Sequence, residues 1–211
     1  MRQNNFIDIL HFRHACKVFD TNKKISPEDF ELILEAGRLS PSSFGLEPTR
    51  LMIIRDKNLR EKMKPLCWNQ EQITTASELV VFKSRVSDLK APTNYVSTMV
   101  SRRMGGDKST YEAYQQRIRG FLVANDLLGE NIINWTARQA YLMASSMMNC
   151  AAFLGIDSCP IEGFERTPIE KLFGIDTFKE RVVLIVPFGY RLKEQPSKKY
   201  RISMDELVEY K

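Results

Sequence analysis

One segment constrains the fold of this sequence more than any other. Residues Asn131 to Leu154 read as the longest helix, and Ala140, Ala144, Ser145, Met147, Met148, Ala151 and Ala152 give it small or flexible side chains on more than one face. A helix that is apolar or small on most sides has to be buried in a core or against a partner subunit. Gly155 follows it, at the position where a left-handed backbone closes a helix. The apolar part, Ala140 to Leu154, is broken by Ser145, Ser146 and Asn149. It is also shorter than the roughly 18 apolar residues needed to span a bilayer, so it is a core helix and no membrane partner is expected.

Arg181 to Phe188 is the clearest strand, with Val182 to Val186 in one unbroken run. Such runs imply burial on both sheet faces. Leu51 to Ile54 and Leu79 to Phe82 read as further strands. Around them lie helices at Asn5–His14, at Ser26 onward (Ser26 as cap, Pro27 in the first turn, Gly37 for close packing of another backbone), and from Asp56 to Leu66. Thr167 to Glu170 has the pattern of a capping box opening another helix that Gly174 ends. Pro92 to Asp126 looks helical but interrupted at Gly105 and Gly106; its aromatic and basic residues make it the candidate cover over a site. Few strands among many helices, without βαβ alternation, predict an α+β fold. No repeat or linker divides residues 1–211, so one domain is expected. GxGxxG is absent, so no Rossmann grip on a dinucleotide is expected.

A net charge of +5 over 211 residues, with the basic residues spread along the chain, argues against a nucleic-acid binder, which concentrates them on a stripe or arm. Cys16, Cys67, Cys150 and Cys159 form no CxxC pair, and His11 and His14 are the only histidines. No metal site follows from that set, and reduced thiols in a cytoplasmic protein are expected. Met1 to Ile9 carries Asp8 and lacks the basic start and apolar core of a secretory signal.

Four segments carry candidate chemistry. Arg13-His14-Ala15-Cys16-Lys17 places three potential cations within five residues, and Lys198-Lys199-Tyr200-Arg201 repeats that chemistry near the C-terminus. Each reads alone as a solvated basic turn; together they form an anion clamp if the fold joins them. Leu39 to Gly45 is a breaker-rich loop with hydroxyls at Ser42 and Ser43. Pro160-Ile161-Glu162-Gly163-Phe164 has a glycine that lets backbone N–H groups approach a flat ligand edge.

In this order, RHACKVFD (Arg13–Asp20), LSPSSFGLEP (Leu39–Pro48) and PIEGF (Pro160–Phe164), followed by Lys199 and Arg201, resemble the nitroreductase family, closest to its oxygen-insensitive NAD(P)H nitroreductase and dihydropteridine reductase branch. The resemblance implies a central, mostly antiparallel sheet flanked by helices, in an intertwined homodimer. It implies bound FMN, NAD(P)H as co-substrate, and ping-pong hydride transfer to a small-molecule electron acceptor such as a nitroaromatic or a quinone. Position by position, Arg13, His14, Lys199 and Arg201 are implied at the ribityl phosphate end, within a cofactor-binding set that includes Ala15. Lys17 is implied at the pyrimidine edge, Asn69 on the isoalloxazine, and the Glu162 and Gly163 backbone, with Pro160 and Ile161 before it, at N5. Pro41, Ser42 and Ser43 are implied from the other subunit. Gln72 stands where relatives often carry lysine, Gly45 replaces a commonly polar residue, and Thr49 a common tryptophan. A flavin store or redox sensor without efficient turnover is the alternative, and within enzymes a flavin or dihydropteridine reductase.

Overall fold

The computed structural model describes residues 5–90, 93–104, 108–194 and 198–211. In chain order the elements are α1 (Phe6–Phe12), α2 (Pro27–Arg38), β1 (Thr49–Ile53), α3 (Lys57–Leu66), α4 (Gln72–Thr75), β2 (Glu78–Arg85), α5 (Asn94–Met104), α6 (Lys108–Ala124), α7 (Ile132–Phe153), β3 (Asp157–Ser158), α8 (Arg166–Leu172), β4 (Glu180–Gly189) and α9 (Met204–Leu207). The strands form one sheet in the order β1-β2-β4-β3, with every pairing antiparallel. This is the α+β arrangement expected from the sequence. The helical break expected at Gly105 and Gly106 lies outside the described residues, as does Pro92.

Alternation along β2 sends its side chains to two cores. Val80 and Phe82 face α2 and α7, packing with Phe30, Ile33, Ala140, Ala144 and Met147. Leu79 and Val81 face α3 and α8, with Met63, Cys67, Ile161 and Ile169. The β2–β4 register slips between Phe82 and Lys83, which pair with Leu184 and Val182 and leave Val183 opposite no partner. That bulge places the consecutive residues Val183 and Leu184 in the same core, while Val182 and Ile185 face the other. A third core joins α5 and α6 to the start of α7: Phe44, held at φ 54, meets Phe121 at 5.1 Å and Trp135 at 6.5 Å between ring centres.

Several local signals act as read. Ser26 Oγ accepts from the Asp29 amide at 3.0 Å, Asp56 caps α3, and Gly155 closes α7 at φ 77. Two do not. Thr167 lies inside α8, whose N-cap is Glu165, and Glu170 is buried and accepts instead from Arg181 Nε and the Val182 amide, each at 2.9 Å. Buried tertiary partners thus outcompete the local box; a complete capping box forms at Ser203 and Glu206. At Gly37 the close approach is made by side chains: the atoms nearest an added Cβ belong to Met147 and Met143 of α7. No helix among the described residues is long and apolar enough to cross a membrane.

Candidate functional site

The site begins with a crossing that brings distant motifs side by side. Ala15 forms a parallel bridge to Ser158, and the Cys16 amide donates to the Ser158 carbonyl at 3.1 Å. The Arg13–Lys17 segment therefore runs beside β3 and enters the sheet edge just ahead of Pro160–Gly163. A buried ion pair locks this crossing. Asp157, 3% exposed, accepts from the Arg191 amide at 3.0 Å and from its Nη2 at 2.6 Å, while Arg191 also donates to the Phe12 carbonyl at 3.4 Å.

The two basic clusters meet across the fold. Lys199 Nζ donates to the carbonyls of Leu10 and Arg13, drawing the C-terminal segment against the end of α1. Burial, then the like charges of Arg13 and Arg201, hold the Lys199 ammonium below its usual range. None of these three cations is paired with a carboxylate among the described residues. Next to them, His14 Nδ1 lies 3.0 Å from the Phe12 carbonyl, and its Nε2 is buried without a partner. A concentration of uncompensated positive charge with an unspent imidazole nitrogen is a place for an anion.

A second group lies one step further along the same segment. Lys17 Nζ is 3.8 Å from Cys159 Sγ, and Gln72 Nε2, on a residue 2% exposed, is 3.7 Å from the same sulfur. Burial raises the Cys159 thiol above its ordinary value against the pull of Lys17 and Gln72, so it remains a neutral acceptor for both. Gln72 Nε2 also donates to Gln70 Oε1 at 2.9 Å, and Gln70 Nε2 donates to the Gly163 carbonyl at 2.8 Å. Ile161 is fixed to Ile185 of β4 in both directions, at 2.8 and 3.2 Å. Tyr141 lines a cavity with Glu162, and its hydroxyl is pushed up to about 12 by burial and by the nearby Glu162 carboxylate. The amides of Glu162 and Gly163 donate to no acceptor among the described residues, which leaves two adjacent backbone donors available.

The other expected residues are placed differently. Asn69, at φ 56, sits in the exposed turn after α3, with its amide donating to the Lys64 carbonyl at 3.0 Å. Pro41, Ser42 and Ser43 follow α2 and are anchored to α7, where the Ser43 amide donates to Gln139 Oε1 at 2.8 Å. Among the described residues no hydrogen bond joins this loop to either basic cluster. Gln70, Cys159, Asp157, Arg191 and Trp68 belong to the site and carry no sequence signal, because their partners lie far away in the chain. Trp68 packs so closely on Gly163 that a Cβ there would stand 2.7 Å from the indole ring.

Comparison with known proteins agrees with this fold. The family described as "Nitroreductase family" matches residues 10–190. A Staphylococcus haemolyticus protein provisionally named an NAD(P)H nitroreductase is 38% identical, over 99% of this chain and 98% of its own. Among solved structures, one from Staphylococcus epidermidis, provisionally titled an NAD(P)H:FMN oxidoreductase, matches with a TM-score of 0.83 at 25% identity, over 100% of this chain and 97% of that one. A structure from Exiguobacterium sibiricum, titled as a nitroreductase in complex with FMN, matches with a TM-score of 0.81 at 23% identity, over 100% and 99%. A chain with this sheet, these motifs in this order and relatives along its full length belongs to the nitroreductase family of oxidoreductases.

Proposed function

We propose that this protein is an FMN-dependent NAD(P)H oxidoreductase, a single FMN-binding unit over residues 1–211 that works as a homodimer and reduces small acceptors such as nitroaromatics or quinones. The observation that carries this reading is the convergence of Arg13, Lys199 and Arg201, without a carboxylate, beside a buried and unpartnered His14 Nε2. A phosphate monoester fits that donor set: it supplies the missing negative charge and acceptor oxygens, and it offsets the mutual repulsion of Arg13, Lys199 and Arg201. The residues beyond the phosphate end also fit a flavin, offering an ammonium and an amide on one side and two free backbone N–H groups on the other.

FMN, when bound, supplies the redox chemistry, accepting hydride from NAD(P)H and giving it to the acceptor. The protein's residues bind and tune. Arg13, His14, Lys199 and Arg201 hold the phosphate end. Lys17 balances the negative charge that reduction brings to the pyrimidine edge. The Glu162 and Gly163 amides would offer donors to the N5 edge of the ring, and Asn69 would approach it from the turn after α3. Gln72, neutral where relatives often carry lysine, leaves that edge one positive charge poorer. No catalytic side chain is assigned, since the redox step would be the flavin's own.

Support for a two-chain site comes from the cavities. Cavities of about 520 and 570 Å³ lie elsewhere on the surface, lined by residues such as Arg181 and Phe178 or Phe30 and Ile53. At the site itself Lys17 lines a cavity of about 260 Å³ and Glu162 one of about 130 Å³, while Pro41 and Ser42 line a separate cavity of about 160 Å³. A second copy bringing its 41–43 loop would complete the enclosure.

The test is the visible spectrum of the purified protein before and after anaerobic NADPH or NADH. A flavin spectrum that bleaches within seconds is expected. A flavin that persists with both nucleotides would make the protein a flavin store or sensor. A colourless protein that takes up no added FMN would refute the assignment.

A further inference from the structure

The turn between α3 and α4 has an uncommon backbone. Trp68 and Asn69 are consecutive non-glycine residues at φ 54 and 56. Each left-handed residue of this kind costs on the order of 1 kcal/mol, so such turns persist where surrounding structure demands them. Here the Asn69 amide donates to the Lys64 carbonyl at 3.0 Å and the Gln70 amide to the Cys67 carbonyl at 3.1 Å. The turn delivers the Gln70 side chain to Gly163.

The Gln70 amide has one orientation that satisfies both of its neighbours. Nε2 donates to the Gly163 carbonyl at 2.8 Å, and Oε1 accepts from Gln72 Nε2 at 2.9 Å. Reversed, it would set oxygen against oxygen and NH₂ against NH₂. Gln72 continues to Cys159 Sγ at 3.7 Å, and Lys17 reaches the same sulfur at 3.8 Å. The polar chain Lys17–Cys159–Gln72–Gln70–Gly163 is thus continuous. Its Cys159 member is anchored in the sheet, where the Cys159 amide donates to the Pro187 carbonyl at 3.2 Å.

We propose that Gln70 is a positioning residue that ties the Gly163 turn to Gln72 and so holds the two donor-bearing edges of the site, Lys17 with Gln72 and Glu162 with Gly163, in one register. The inference rests on the FMN reading above. Donors aimed at a ring act only if they stand where its charge develops, and a displacement of about 1 Å is enough to forfeit much of their effect. Gln70 touches neither edge of the flavin itself; it acts through the Gly163 carbonyl and the Gln72 amide.

The test uses the full-length protein loaded with FMN and the neutral, similarly sized variant Gln70→Met, with Gln70→Ala as a second variant. Two quantities are read: the dissociation constant for FMN and the midpoint potential of the bound flavin. FMN affinity should stay within about threefold of wild type, because the phosphate end keeps its charge-assisted donors. The ratio of affinities for oxidised and reduced FMN should shift at least about tenfold against the reduced form, which for a two-electron couple is about 30 mV. A purely structural role would lower thermal stability and leave the potential where it was. An unchanged potential in folded variants overturns the proposal, as does loss of folding in both. Failure of the wild-type chain to bind FMN would overturn the FMN reading itself, a result distinct from either.

Discussion

The side chains of this site divide into those that hold charge and those that set geometry, and substitutions should separate them. Arg13 belongs to the cationic group with Lys199 and Arg201, whereas Lys17 contacts Cys159 on the other side of the crossing. Arg13→Ala should therefore weaken FMN binding by about tenfold or more, in line with the roughly 1.5–3 kcal/mol of a charge-assisted hydrogen bond. Lys17→Ala should slow reduction by NADPH more than it weakens binding. Equilibrium dialysis and anaerobic stopped-flow on both variants check this, and equal loss of FMN from the two would refute the division. The buried thiols give an independent prediction. Burial pushes both Cys16 and Cys67 up to about 12 from 9.0. A folded-state pKa above the unfolded one contributes stability that is complete below pH 9 and is lost as pH rises towards 12. Urea midpoints should thus fall across that alkaline window. The decline should shrink in Cys67→Ala, which removes one of the groups that folding holds protonated; a decline of the same depth would assign it elsewhere.

At the scale of elements, sequence and structure agree where a segment's signals are local. The Ser26 cap, the Asp56 cap, the Gly155 terminus and the Val182–Val186 run all depend on neighbours within a few residues, and all appear in the fold. Agreement ends where a distant partner decides. Glu170 looks like a capping glutamate but serves Arg181 and Val182, and Gln70 is one more polar residue in a polar turn until Gly163 is folded against it. The basic motifs are legible as two clusters; that Lys199 reaches the Leu10 and Arg13 carbonyls is not, since the β3 crossing, the Asp157–Arg191 pair and the Phe19–Arg191 bridge bring the ends together only in the fold. Gly37 lets this be tested on the α2–α7 contact. A Cβ there would lie 2.8 Å from Met147 Cγ and Sδ, and Met147 is fully buried. Gly37→Ala gains about 1 kcal/mol of helix propensity but incurs an overpacking cost of roughly 1–3 kcal/mol. A net loss of about 1 kcal/mol in urea unfolding is expected. A gain would mean that Met147 moves aside without cost.

For the whole molecule, the placement of the 41–43 loop and of the apolar surface point to one arrangement. In a single protomer that loop is bound to α7 through Gln139, apart from the phosphate end, so the proposed site needs a second copy if both are to touch one FMN. The protomer also exposes large apolar side chains that a monomer would ordinarily bury. Phe6 and Ile7 of α1 are 59% and 60% exposed, and in the C-terminal segment Ile202, Met204, Leu207 and Tyr210 range from 61% to 91%. The two stretches adjoin, because Lys199 is bonded to the end of α1. In the proposed homodimer a second copy would cover these side chains. Sedimentation should accordingly give twice the chain mass of 24.4 kDa. Deleting residues 202–211 keeps Arg13, His14, Lys199 and Arg201, so every phosphate donor assigned to this chain survives. If the C-terminal segment covers a partner, the truncated protein should sediment as a monomer at low micromolar concentration. Its FMN affinity should then fall by about tenfold or more, because the loop supplied by the other chain is lost along with the interface. The loss should recover as protein concentration rises and dimers re-form. A truncated protein that remains dimeric would remove the segment from the interface, and a wild-type monomer that retains FMN would refute the two-chain site.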